Sequence, residues 1–245
     1  MREEELKFLA VSPKEHIRFK CIGCGACCKN IYLSVPIETL DAFRIAKYLR
    51  NMGHKIETMD DFWQQYGEPA LLDECGYFVY FLKTKDDQRA CVFLEDDRCS
   101  IHAVNPRACR LYPFTAEPDT GQYLVTRERE HHFIGTAIKV KSWMNQRYSE
   151  EDRAFVRLDY GVARDIAKLL REIPEQDKAR AIMLFQFYKY SAYDLDKPFL
   201  IQFEDNQNEL YLNYDTEQEF MKQFEENTEE LFNILRLAPS EQGGK

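Results

Sequence analysis

Four thiols fall within eight residues of the stretch KCIGCGACCKN: Cys21, Cys24, Cys27 and Cys28. A C-x2-C loop folds back so that both sulfurs can face one metal, and Gly23 and Gly25, on either side of Cys24, allow the tight turns this needs. Cys21, Cys24 and Cys27 are each three residues apart. These are the first three steps of a ferredoxin-type C-x2-C-x2-C run, enough for three corners of an iron–sulfur cube. The same loop can equally supply two or three ligands to a tetrahedral zinc. Cys27 and Cys28 are adjacent, and neighbouring side chains diverge in helical and extended backbone alike. The pair is therefore expected to reach one centre only through a strained turn. Otherwise Cys28 serves a second metal, or is a packing or redox thiol. Core cysteines and disulfides are the competing explanations for the four thiols. Chance rarely clusters four so tightly, and structural disulfides are rare in the cytosol.

A second thiol group occupies CVFLEDDRCSIHAVNPRACRLYPF, from Cys91 to Phe114. Cys91, Cys99 and Cys109 supply the ligands the first group lacks. The candidate metal ligands are thus Cys21, Cys24, Cys27, Cys28, Cys91, Cys99 and Cys109. Asn105-Pro106 suits the cap and first turn of a short helix carrying Cys109. Arg107 and Arg110 on that helix are expected to lower the Cys109 thiol pKa. The chain has eight cysteines. That number allows two four-thiolate zinc sites, one 4Fe–4S cluster with spares, or one cluster and one mononuclear site. Cys75 reads first as a core or loop thiol. His102, three residues past Cys99, reads first as a bystander. Trp63 and Trp143 are expected to pack.

The two groups together resemble the YkgJ-type cysteine-cluster family. The match runs through Phe19, Cys21, Cys24-Gly25 and Cys27-Cys28. It continues through Cys91-Val92-Phe93-Leu94, Cys99-Ser100-Ile101, Pro106, Cys109-Arg110 and Tyr112-Pro113. His102 stands where tyrosine is usual, and Asn105 where arginine is usual. The resemblance implies a domain that chelates zinc or iron. It also aligns His131-His132-Phe133-Ile134-Gly135 with a downstream C-x-G-x-G-like stretch, so that His131 stands in for a cysteine. A solvated histidine pair at a strand end is the alternative. Flagellin lysine-N-methylases carry a similar cluster, which implies an iron–sulfur enzyme using S-adenosylmethionine as a second possibility. Such an enzyme would need an open coordination position beside a pocket lined by Tyr112, Arg110 or His131. The chain contains no G-x-G-x-x-G and no C-x3-C-x2-C.

These groups need elements to position them. The chain has 245 residues, 44% of them hydrophobic, which suffices for one large domain or two small ones. Every cysteine precedes residue 110. The expected organisation is α+β. A metal-stapled cysteine-rich region with a small antiparallel sheet (residues 1–148) packs as one globular unit on a mainly helical region (149–245). In the first region, apolar spacing predicts a helix over Ile37–Met52 and a second, capped by Thr58 and Asp61, to Tyr66. Gly76–Lys83 reads as a strand paired with Ala90–Leu94 across a turn at Thr84–Arg89, and Tyr123–Arg129 as a third strand. In the second region a helix follows Ser149, with Phe155, Leu158, Val162, Ile166, Leu169 and Ile173 on one face. Pro174 opens another, running to about Tyr190. Thr216 and Glu219 suit a further capping box. Residues 199–214 fit either a turn at Asn206 or a helix.

Net charge is −9, and the stretch Glu204–Glu230 holds ten acids against one base, Lys222. Such a surface repels phosphate backbones, so nucleic acid is not expected as a partner. No apolar stretch approaches the roughly 20 residues of a membrane span, and MREEELKFLA is not expected to be a signal peptide. The cytoplasm is the expected compartment. Three functions remain: a metal-binding cysteine-cluster protein with iron–sulfur or zinc, an iron–sulfur protein-modifying enzyme, or a zinc-stabilised interaction module whose acidic helices dock a basic protein.

Overall fold

A computed structural model describes residues 8–210, except 73, 86–88, 119 and 128–129. The strands are short: β1 (Phe8–Ala10), β2 (His16–Arg18), β3 (Gly67–Leu71), β4 (Phe78–Leu82), β5 (Thr84–Lys85), β6 (Ala90–Cys91), β7 (Leu94–Glu95), β8 (Arg98–Cys99), β9 (Phe114–Ala116), β10 (Tyr123–Thr126) and β11 (Ala137–Lys139). They form one three-stranded antiparallel sheet, in the order β1-β10-β9, and four two-stranded pairs. The helices are α1 (Thr39–Asn51), α2 (Met59–Tyr66), α3 (Arg107–Leu111), α4 (Val140–Arg147), α5 (Glu150–Glu172), α6 (Glu175–Gln186) and α7 (Phe199–Leu210). The fold is therefore mixed α+β, strand-rich first and helical later. No described helix is long and apolar enough to cross a membrane.

Helices α2 and α5 form where periodicity and caps coincide, whereas α1 rests on its buried face without a side-chain cap. Helix α1 buries Leu40, Phe43, Ile45, Ala46 and Leu49. Helix α2 begins with the expected capping box: Asp61 N donates to Thr58 Oγ1 at 3.2 Å, and Thr58 N donates to Asp61 Oδ2 at 2.8 Å. Ser149 and Asp152 build a second box at the head of α5. The buried face of α5 is Phe155, Val156, Val162, Ile166 and Leu170, whereas Leu158 is 58% exposed. The sequence places Leu158 on the inner face; the observed face turns toward Val156 and Leu170 instead. A single π turn, Phe187–Ser191, follows α6. Residues 199–210 are helical, and Asn206 makes no turn. It is buried, and its Nδ2 donates to Ala192 O at 3.0 Å. The capping box at Thr216 and Glu219 lies outside the described residues.

The strand pairing differs from expectation. The partner of β4 is β3, in register Gly67↔Leu82, and not Ala90–Leu94. Glu68 and Pro69 hide β3 in the sequence, yet proline is tolerated in an edge strand because it need not donate to a ladder. Ala90–Cys91 pairs with Thr84–Lys85, where a turn was expected. One hydrophobic core takes in both parts of the chain, including Ile45, Phe62, Phe155, Phe185 and Leu195. Polar bonds cross the same boundary: Trp63 Nε1 donates to Tyr190 O at 2.9 Å and Thr39 Oγ1 to Lys189 O at 2.9 Å. Trp143 packs edge-on to Phe19 and donates to Leu111 O.

Candidate metal centre

The cysteine loop turns on Gly25, whose φ is 64°. A 3-10 turn, Ala26–Cys28, follows it and is closed by Cys28 N donating to Gly25 O at 2.9 Å. The turn lies against the β7–β8 hairpin. Lys29 Nζ meets Asp97 Oδ1 at 2.5 Å, and a methyl group on Gly25 would sit 2.7 Å from Asp97 O. This close seat lets the adjacent thiols converge. Cys27 Sγ and Cys28 Sγ are 4.0 Å apart. A 3-10 turn therefore does what helical and extended backbone do not, and the pair sits on the kind of turn that the sequence requires for both thiols to reach one centre.

Cys28 and Cys99, at the end of β8, lie close enough to shift each other's ionisation. Cys91 in β6 and Cys109 in α3 lie close enough that their charges bear on the others. Five sulfurs from four elements, Cys27, Cys28, Cys91, Cys99 and Cys109, thus lie within reach of one another's charge, although among the described residues no three of them fall within 4.8 Å of one another. Their ionisation reflects the crowding. The neighbouring Cys28 pulls Cys99 down to about 7. Bonding to Cys27 and the nearness of Cys99 push Cys28 up, burial pushes Cys91 up to about 11, and burial with three neighbouring thiols raises Cys109 well above its ordinary value. Without a cation one thiol can ionise but the group cannot, because each added thiolate repels the rest.

The expected lowering of the Cys109 pKa by its arginines does not occur, because both guanidinium groups are engaged elsewhere. Arg107 pairs with Glu38, and its backbone N donates to Asp41 Oδ2 at 2.5 Å. Arg110 pairs with Asp41 at 2.8 Å and lies 3.5 Å from Asp152. Arg44 closes the network on Asp152 at 2.6 Å. The arginines therefore lock α3 to α1 and α5, holding Cys109 in place without supplying it charge.

Cys24 turns the other way. Its Sγ lies 3.2 Å from His132 Nε2 and 3.7 Å from His131 Nε2, and the three donor atoms all fall within 4.8 Å of one another. The histidines stand on a 3-10 turn, Glu130–His132. His132 is buried, at 3% exposure, and its Nδ1 is 3.1 Å from the Tyr112 hydroxyl. Phe19 packs edge-on against both Tyr112 and His132, and Lys20 N donates to His132 O at 3.0 Å. His132 is the residue that spacing alone misses: it matches no motif, and only its place next to His131 marks it.

The remaining candidates are scattered. Cys21 is exposed, close enough to Arg147 to favour that residue's charged form. Cys75 is buried in the core, and His102 is exposed on a 3-10 turn beyond Cys99. Residues 20–137 match the family model CxxCxxCC, described as a "putative zinc- or iron-chelating domain". No solved structure matches the chain.

Proposed function

We propose, from the premise that residues 20–137 are a domain of the CxxCxxCC family, that the five-thiol group holds a zinc ion which staples the cysteine loop to the β7–β8 hairpin and α3. The observation that carries this is the 4.0 Å separation of Cys27 and Cys28. A tetrahedral zinc, with Zn–S of about 2.3 Å, spaces its sulfurs about 3.8 Å apart. A cubane assigns each cysteine to a separate iron and spreads them further. The donor set fits zinc in its chemistry as well. Four of Cys27, Cys28, Cys91, Cys99 and Cys109 would have to draw closer around the ion to complete a closed thiolate site, and a divalent cation offsets the repulsion that keeps these thiols protonated. Bound metal supplies folding free energy here, because it joins short elements that are distant along the chain.

Metal analysis with a visible spectrum, on protein purified without oxygen, tests this. The expected result is a colourless protein that retains zinc. A brown protein with about four irons per chain overturns it in favour of the 4Fe–4S cluster that C-x2-C-x2-C spacing also allows.

A further inference from the structure

We infer that Cys24, His131 and His132 form a second metal site, a mixed thiolate–imidazole centre with one coordination position left for an exogenous ligand. The inference rests on different residues from the five-thiol group and stands without it. Bond lengths of about 2.3 Å to sulfur and 2.0 Å to nitrogen place tetrahedral S···N contacts about 3.5 Å apart. The two contacts of Cys24, at 3.2 and 3.7 Å, bracket that value. The donors come from segments 107 and 108 residues apart, so chain proximity does not explain their meeting.

The surroundings orient the pair as metal ligands are oriented. For Nε2 of His132 to offer its lone pair, the ring proton must sit on Nδ1. There it donates to the Tyr112 oxygen at 3.1 Å. Phe19, edge-on to the His132 ring, fixes its plane. His132 is buried, while His131 is exposed. The site therefore has a walled inner side and an outer side open to water. Among the described residues, no fourth cysteine, histidine or carboxylate joins the three. Three protein ligands and one free position is the pattern of zinc sites that bind and polarise a small ligand.

Cobalt substitution of the full chain, followed by visible absorption, tests the site. A thiolate-only centre and a mixed centre differ in ligand field, and mixed ligation moves the bands to shorter wavelength. Wild-type protein is expected to bind cobalt in two spectral classes. His131→Ala, at an exposed position, should remove the shorter-wavelength class and one cobalt per chain while leaving the thiolate class intact. Tyr112→Phe keeps the ring but removes the hydroxyl, and should weaken the same class about 10–100-fold. Azide should shift that class alone. Unchanged cobalt binding and spectrum in His131→Ala overturn the site, and insensitivity to azide overturns its open position. Absence of the thiolate class in wild-type protein would count against the five-thiol centre and leave this one standing.

Discussion

Gly25 decides which way each thiol of the loop points. Its positive φ sends Cys24 toward the histidine turn and the next two cysteines toward the hairpin. Asp97 O leaves no room for a side chain. Gly25→Ala is expected to cost about 1–3 kcal/mol through backbone strain, with the clash added. Thermal melting with and without zinc checks this: the variant should melt lower and lose most of the zinc-dependent rise. A variant that melts like wild type, with the full rise, would refute the turn's role. The cysteines and glycines of this loop were legible in the sequence as a cluster of the kind that the matching family model describes. Their division between two groups was not, since spacing counts residues along the chain and says nothing of a single left-handed turn. Nor was the fate of Arg107 and Arg110 legible. Their charge suggested thiol activation, but Glu38, Asp41 and Asp152 come from distant helices to claim it.

At the scale of elements, α5 depends on its first turn. Ser149 Oγ accepts from Asp152 N at 3.0 Å, and Asp152 also holds Arg44 and Arg110. Ser149→Ala is expected to cost about 1 kcal/mol. Asp152 sets a pH dependence. Burial would raise its carboxyl, but the hydrogen bond and charge of Arg44, then Arg110 and Ser149, hold it below the usual carboxylate range. A depressed folded pKa means stability that is present above the unfolded value of about 3.9 and is lost as pH falls through the folded value. Denaturant midpoints from pH 6 downward should show Asp152→Asn less stable than wild type, with the gap closing in acid. A gap that stays constant or widens would contradict the assignment. Caps and 3.6-residue periodicity made α1, α2 and α5 readable. Strand β3 was not, because Glu68 and Pro69 lack strand character and tertiary pairing with β4 overrides it.

For the whole molecule, the same core runs under both halves, so loss of metal should loosen one part of the surface and leave the helical packing standing. The arginine network keeps α3 in place with buried charge; the loop from Lys20 to Asn30 is held by lighter contacts, among them the exposed Lys29–Asp97 pair and Lys20 N on His132 O. Chelation is therefore expected to lower the melting temperature, leave most helical circular dichroism unchanged, and open the loop to trypsin after Lys20 and Lys29. Identical digestion and melting before and after chelation would rule out a stapling role. The balance of strand-rich and helical parts was legible from where the cysteines stop. The shared core was not, because contacts such as Trp63 with Tyr190 join residues that no local pattern relates. Only two residues, Gly25 and Ala26, separate Cys24 from Cys27. So short a span acts as a lever: a shift that draws Cys24 toward the histidines must also move Cys27. On the proposed two-site reading, filling either group is expected to change the affinity of the other, and by linkage the effect is equal in both directions.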